Sequence, residues 1–360
     1  MRKGIAAVGL MAVMALSAAM SVRVSAAVSN TAVFHALVEM EARDEMVYSV
    51  GSSLNVRTEP DINGEIVGVL NVGDEIRRVG YGEEWSCVVY EGQQRYVASR
   101  YLTTEKTKRQ EIWLNPDWKY ANFARIVSGS TFLYLSPADD RKDKTICINA
   151  GHGTKGGASV KTQCHPDGTP KVTGGTTSAG AVSATAVSGG MTFADGTPEA
   201  KVTLAMAKVL KDKLLARGYD VLMIRENDDV QLDNIARTVI ANNAADCHIA
   251  LHWDSTAKDK GAFYMSVPNV ASYRSMEPVA SNWQKHHELG DSLIAGLEDN
   301  GVKIFSDGTM AMDLTQTSYS TVPSVDIELG DKASDHSAET LERLGKGLAD
   351  GVDKFFNPNI

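Results

Sequence analysis

The segment Ile148–Gly157, INAGHGTKGG, sets a histidine between two glycines directly behind the apolar run TICIN. Two chemistries fit those residues. Read as Gly151-x-Gly153-x-x-Gly156, the segment matches a dinucleotide-binding fingerprint, in which a glycine turn brings backbone amides to a pyrophosphate. Read as an imidazole at a strand end, His152 offers one ligand to a metal ion. The nucleotide reading fails on context. That fingerprint needs a helix to open at once and an acidic residue about 20 positions further on, whereas Gly156 leads into a stretch rich in Gly, Ser and Thr with no helix before Pro198.

The metal reading gains from position. In open α/β sheets, ligands gather beyond the carboxyl ends of the strands. His152 follows TICINAG, His252 ends CHIALH and Glu328 ends VPSVDIE, so three ionisable groups arrive at one sheet edge. Glu199 falls in the first turn of a helix, behind Thr197 as N-cap and Pro198 as first helical residue. A carboxylate there also suits the helix dipole. Two histidines and a carboxylate with an open fourth position form a catalytic zinc set, and a further glutamate nearby is what amide hydrolysis requires.

Other reactive side chains read as structural. His248 and His252 share a strand, where a rise of roughly 3.3 Å per residue parts them by about 13 Å, too far for one ion. His286 and His287 are helix neighbours that cannot converge and read as surface residues. His165 and His336 read as loop or helix-start residues, and Arg225 and Arg237 as holders of loops or helices. Asp326 shares a strand face with Glu328, where it either tunes that acid or makes a structural hydrogen bond. Cys164 beside His165 is a weak metal pair. Cys87, Cys147 and Cys247 read as small buried hydrophobes, in a chain large enough to bury a core without disulfides.

The elements that carry these residues begin at Lys144. Strand-like runs (TICIN, YDVLMIR, CHIALHW, AFYMSV, VPSVDIELG) alternate with helical ones. In PEAKVTLAMAKVLKDKLLARG, Val202, Ala205, Met206, Val209, Leu210 and Leu214 recur at helical spacing, and Gly218 stops the run. LDNIARTVIANN, LGDSLIAGLEDNG and HSAETLERLGKGLADGVDKFF supply further helices. This alternation predicts an α/β domain over 144–356, with a mostly parallel twisted sheet flanked by helices. Ahead of it, residues 47–103 are short β runs split by turns such as Asn63-Gly64, which predicts a small all-β barrel. Residues 104–143 read as a linker and aromatic lead-in able to form an edge element.

The first 27 residues, with basic Arg2 and Lys3, an apolar stretch and small residues near Ala26, read as a signal peptide, so the chain is expected to be secreted. Arg23 breaks the run before it reaches the roughly 20 residues a membrane span needs, and no span is expected in the mature chain. Losing Arg2, Lys3 and Arg23 takes the formal charge from −9 to −12. An acidic chain without a basic block excludes nucleic acid as a partner and is not drawn to an anionic envelope by charge alone.

Residues 144–356 resemble the zinc-dependent N-acetylmuramoyl-L-alanine amidases. That family's opening DPGHGG stands here as NAGHGT, its glutamate-led helix runs from Glu199 to Val221, and MIRENDDVQLDNIARTVIAN, ADCHIALHWDS and VPSVDIELG follow in the family's order. The resemblance implies zinc held by His152, Glu199 and His252, with Glu328 as catalytic acid–base. It also implies peptidoglycan as substrate, cut at the amide between N-acetylmuramic acid and the L-alanine of the stem peptide. LNVRTEP, GEIVGVLNVGDEI, EWSCVVY and YVASRYL resemble the bacterial SH3-type module, which implies wall binding, with Trp85, Tyr90, Tyr96 and Tyr101 as either groove or barrel core. A monomer is expected.

Three departures stand out from the amidase pattern. Asn149 replaces an aspartate, so a partner for His152 is expected to be weakened or lost; Asp254 stands where asparagine is usual; and the segment from 154 to 197 is unusually long. That segment could shape the cleft, cover it or be a mobile loop. Two rival functions remain open at this level: a zinc peptidase cutting within the stem peptide, and a non-catalytic wall-binding protein on an amidase scaffold.

Overall fold

A computed structural model describes residues 40–49, 54–70, 73–104 and 109–357. The signal-peptide reading of residues 1–27 lies outside the described residues. No helix among them is long and apolar enough to cross a membrane.

The N-terminal unit is built from β1 (Glu41–Ser49), β2 (Leu54–Arg57), β3 (Ile66–Leu70), β4 (Glu75–Tyr81), β5 (Trp85–Tyr90), β6 (Gln93–Ala98) and β7 (Leu102–Thr103). They form one sheet in the order β3-β2-β6-β5-β4-β1-β7, with every pairing antiparallel. Side chains alternate between faces, and the inward ones (Val47, Leu54, Val56, Ile76, Val88 and Val97) make the core, with Tyr90 and Tyr101 packed against it. This all-β arrangement fits an SH3-like unit.

Among the described residues, the larger unit holds ten strands and six α-helices. The strands are β8 (Arg109–Trp113), β9 (Ser130–Tyr134), β10 (Thr145–Ala150), β11 (Lys161–Gln163), β12 (Ser183–Thr185) and β13 (Asp220–Met223). After them come β14 (Cys247–Asp254), β15 (Ala262–Ser266), β16 (Ile304–Ala311) and β17 (Ser324–Asp331). The helices are α1 (Glu199–Ala216), α2 (Asn234–Ala244), α3 (Ala271–Arg274), α4 (Val279–Asp299), α5 (Thr315–Tyr319) and α6 (Ala338–Phe356).

The main sheet has the order β16-β15-β17-β14-β10-β13-β9-β8. The expectation of a mostly parallel sheet needs correction: the sheet is mixed. Its centre, β13-β10-β14-β17, is parallel, but β15 runs antiparallel to β17, β9 antiparallel to β13, and β8 antiparallel to β9. The aromatic lead-in causes part of this, because β8 and β9 pair with each other and close that edge.

Helices cover both faces. One core gathers Leu210 and Leu214 of α1, Leu289 and Leu293 of α4 and Leu344 and Leu348 of α6 against Ile146, Ile148 and Ile249. The other packs Ile235, Val239 and Ile240 of α2 against Leu222 and Ile224, with Phe123 and Tyr120 of the lead-in. Cys147 faces the α2 core and Cys247 the other, so these two cannot bridge, and all four cysteines are free and buried. α1 ends as expected, with Gly218 at φ +89°. Its start is one residue later than expected. Pro198 is the cap and Glu199 the first helical residue, because Pro198 keeps an extended ψ of 137°; the Glu199 amide donates to the Met191 carbonyl (3.0 Å).

Candidate metal centre

The parallel centre of the sheet delivers its strand ends to one place. His152 lies two residues past β10, His252 is on β14, Glu328 is on β17, and Glu199 opens α1. One ligand atom each from His152, Glu199 and His252 fall within 4.8 Å of one another, the one such group of three or more His, Cys, Asp or Glu among the described residues. His152 Nε2 lies 2.8 Å from Glu199 Oε1. His252 Nδ1 lies 3.1 Å from both His152 Nε2 and Glu199 Oε1. The two rings meet edge to face at 4.6 Å.

The loop that presents His152 is built for the purpose. His152 sits at φ +63° and Gly153 at φ +72°. For a non-glycine residue, that left-handed backbone costs on the order of 1–2 kcal/mol and needs outside support. Two buried arginines supply it. Arg237 donates to the His152 carbonyl (2.6 Å) and to Asn149 Oδ1 (3.0 Å), and Arg225 donates to the carbonyls of Ala150 (3.0 Å) and Gly151 (2.9 Å). Burial pushes these guanidinium groups down to about 9 and about 10 respectively, still charged at neutral pH. Reading both arginines as holders of loops agrees with these bonds.

Asn149 is engaged by Arg237 and does not serve His152. The partner of the His152 Nδ1 is the Ser188 carbonyl at 2.9 Å, with Ser188 Oγ at 3.2 Å. Donation to that carbonyl places the proton on Nδ1 and leaves Nε2 a free lone pair. The expected loss of a second partner therefore does not occur; a residue of the long insert supplies one.

That insert is an integral wall of the site. The Met191 amide donates to Glu199 Oε2 (2.8 Å), and a Cβ on Gly190 would stand 2.7 Å from His152 Cδ2 and 2.9 Å from Glu199 Oε2. Gly151 is just as close on the other side, since its Cβ would stand 2.2 Å from His252 Cε1. Asp313 pins the insert. It is fully buried and accepts from the Val172 amide at 2.6 Å, with Lys171 Nζ at 2.9 Å and His165 Nε2 at 3.2 Å. Sequence reasoning missed Ser188, Gly190, Met191 and Asp313; the Gly189-Gly190 pair was the available signal.

Charge at the cluster is cation-seeking. Burial opposes ionisation of Glu199, yet bonding to His152 and His252 holds its carboxyl well below the usual range. Burial likewise works against charge on His252, but Asp326 and Glu199 outweigh it and push the ring up to about 10. Asp326 Oδ2 lies 3.7 Å from His252 Nε2, the nitrogen facing away from the cluster. Burial pushes Glu328 well above the ordinary carboxylate range, and its Oε2 is buried without a partner among the described residues. All five side chains line one cleft of about 710 Å³, walled by the insert on one side and by Met312 and Gln316 on the other.

The remaining candidates lie elsewhere. His248 is buried with both ring nitrogens unpartnered among the described residues, and burial pushes it down to about 3. The surface reading of His286 and His287 is corrected. His286 is buried and accepts from the Ser324 amide (2.9 Å), and half-buried His287 accepts from the Val267 amide (3.0 Å). His286 lies on the apolar stripe of α4 with Leu289 and Leu293, which is why it is drawn inward. His336 pairs with Asp195 (3.1 Å) and meets Phe193 edge to face. Cys164 and His165 are buried in the insert and belong to no three-donor group.

Both units of the chain are similar to known proteins. Residues 146–353, more than half of the chain, match the family model described as N-acetylmuramoyl-L-alanine amidase, and residues 52–103 match the bacterial SH3 domain. Among solved structures, the N-acetylmuramyl-L-alanine amidase Ami1 from Mycobacterium smegmatis is similar at 18% identity and a TM-score of 0.48. The overlap covers 60% of this chain and 98% of that one. An N-acetylmuramoyl-L-alanine amidase from Clostridium difficile 630 is similar at 16% identity and a TM-score of 0.43, covering 60% and 98%. An uncharacterized Bacillus subtilis protein, YfhK, is 25% identical over 117 residues, 31% of this chain and 67% of its own.

Proposed function

The chain belongs to the N-acetylmuramoyl-L-alanine amidase family, and from that premise we propose that it is a secreted, zinc-dependent hydrolase of peptidoglycan. The bond cut is the amide between the lactyl group of N-acetylmuramic acid and the L-alanine of the stem peptide. The observation that carries this reading is the convergence of His152 Nε2, Glu199 Oε1 and His252 Nδ1 within hydrogen-bonding distance of one another.

The donor set fits a divalent cation. Two imidazole nitrogens and one carboxylate oxygen are the ligands of an open catalytic zinc site, and the unpartnered Glu328 Oε2 leaves a basic group beside it. His152, Glu199 and His252 would hold the ion. Zinc bound there supplies Lewis acidity, polarising a carbonyl and acidifying water.

The chain's own residues then handle orientation and protons. Ser188 fixes the His152 tautomer through Nδ1, and Asp326 faces the outer nitrogen of His252. Glu328 takes a proton from the attacking water as its oxygen bonds to the lactyl carbonyl carbon. The same carboxyl passes that proton to the alanine nitrogen as the C–N bond breaks, leaving a lactyl carboxylate and a free amine. A carboxyl whose proton affinity is raised by burial suits both halves of that transfer. The unit at 47–103 raises local concentration at the wall without altering the chemistry.

The test is digestion of purified wall with and without chelator, with products identified by mass. Free stem peptides beginning at L-alanine, released only without chelator, are the expected result. Fragments cut within the stem peptide, or no cleavage by zinc-loaded protein, overturn it.

A further inference from the structure

A second, smaller cleft lies along the same sheet edge as the metal cluster. It encloses about 300 Å³ and is lined by Trp113, Ser128, Ser130, Asn227, Asp229 and Gln231 among others. Trp113 is 54% exposed, which for so large an apolar surface is unusual in a residue that ends a strand of the main sheet.

The topology fixes where this cleft sits. β9 runs antiparallel to β13 with Phe132 opposite Met223, and β8 runs antiparallel to β9 with Trp113 opposite Ser130. Trp113 is therefore at the carboxyl edge of the parallel strands, the edge that carries His152. From β10 through β13 and β9 to β8 are three strand spacings, about 14 Å. Backbone bonds tie the two places together. The Val230 amide donates to the Gly153 carbonyl (3.0 Å), the Gly129 amide to the Gln231 carbonyl (3.1 Å), and the Lys155 amide to Asp229 Oδ1 (3.1 Å). The cleft and the His152 loop are thus joined directly by hydrogen bonds.

The lining names the ligand. An indole more than half exposed offers flat apolar surface to the C–H face of a sugar ring, while hydroxyl, amide and carboxylate side chains around it bond sugar hydroxyls. The amide of Asn227 and the hydroxyl of Ser128 are exposed and have no intramolecular partner among the described residues. Arg109 and Lys211 are turned onto Glu226, and exposed Lys155 lies beside Asp229, so the cations at this cleft are matched by carboxylates and do not single out an anion.

The geometry points to a glycan-binding subsite at Trp113, which holds a sugar of the strand three spacings away from the bond being cut. It rests on the amidase reading only in taking the glycan as part of the substrate. The subsite sets a preference for long glycan chains over single muropeptides, because a disaccharide seated at the metal cluster is too short to reach it.

The test uses the full chain, zinc-loaded, with Trp113→Ala, Trp113→Phe and Asn227→Ala. Substrates are stem-bearing glycan chains of several disaccharides and the disaccharide–stem monomer. Trp113→Ala is expected to raise KM about three- to tenfold on the long chains, with kcat and the monomer KM unchanged; Trp113→Phe restores most of the loss, and Asn227→Ala gives a smaller one. Equal effects on both substrates, or none, overturn the subsite while leaving the amidase reading intact. If the wild-type chain cleaves neither substrate, the amidase reading has failed on its own. Titration with a peptide-free N-acetylglucosamine tetramer then decides the subsite, weaker binding by Trp113→Ala supporting it and unchanged binding ending it.

Discussion

Glu328 stands directly across from His252 on the neighbouring parallel strand, the two residues paired in the β14–β17 register. Side chains of paired residues point to the same face, so the register alone holds the unpartnered acid beside the metal cluster. Nothing in the cluster bonds to Glu328 Oε2. Replacing its carboxyl by an amide should therefore leave the ligands in place. Glu328→Gln is expected to bind one equivalent of zinc and lose about 10²–10⁴ in kcat; metal analysis beside a turnover assay separates the two effects.

Metal uptake should release protons. Without a cation, His252 is pushed up to about 10 and is charged at neutral pH, yet it must be neutral to ligate. In the folded chain the proton is held across the whole window below about 10. Zinc affinity is expected to rise with pH through that window, by about tenfold per unit for one displaced proton. Calorimetric titration in two buffers of different ionisation enthalpy counts the protons. A count of zero, with pH-independent affinity, would contradict the charge state assigned to this ring.

The convergence of His152, His252 and Glu328 was readable from sequence because strand–helix alternation dictates where strand ends gather. The walls of the site were not. Residues 154–197 carry no hydrophobic period, and their shape comes from bonds to Asp313, some 140 residues away, which no local pattern encodes. The antiparallel edge was hidden for a similar reason, since β8 and β9 lie in a lead-in whose aromatics fit either strand or linker. β16 went unseen because IFSDGTMA breaks the β pattern with Ser306, Asp307 and Gly308. His286, by contrast, could have been placed inside, since its spacing to Leu289 and Leu293 is that of a buried stripe.

Gly190 offers a sharp test of the insert as a wall of the metal site. It sits at φ +80°, and a Cβ there would press on both His152 and Glu199. Gly190→Ala is expected to weaken zinc binding by about 10- to 100-fold, the range typical of groups that orient metal ligands. Circular dichroism should remain that of the wild type. Ser188→Ala is the matched control, because the carbonyl that bonds His152 belongs to the backbone and survives the change. Equal zinc affinity in both variants would show that the insert does not shape the site.

Asp313 is the anchor on which that wall depends. Its carboxylate is fully buried and meets His165, Lys171, Thr173 and the Val172 amide, all from the insert. Burial opposes its ionisation, but the bonds from His165, Thr173 and Lys171 prevail and hold its carboxyl well below the usual range. A depressed carboxylate stabilises the fold fully above its unfolded value of about 4, and that contribution is lost as pH falls further. Asp313→Ala leaves the buried Lys171 ammonium without its counter-charge, which costs about 3–5 kcal/mol. Denaturant melts should show that loss, and limited proteolysis should open the chain between Lys161 and Met191 before any other segment of the larger unit. Because Ser188 and Met191 ride on the same insert, zinc affinity should fall as well, although Asp313 touches no ligand. Asp313→Asn keeps the shape and part of the bonding, and is expected to fall between the two. If Asp313→Ala melts early yet binds zinc as tightly as the wild type, the anchor serves the fold alone.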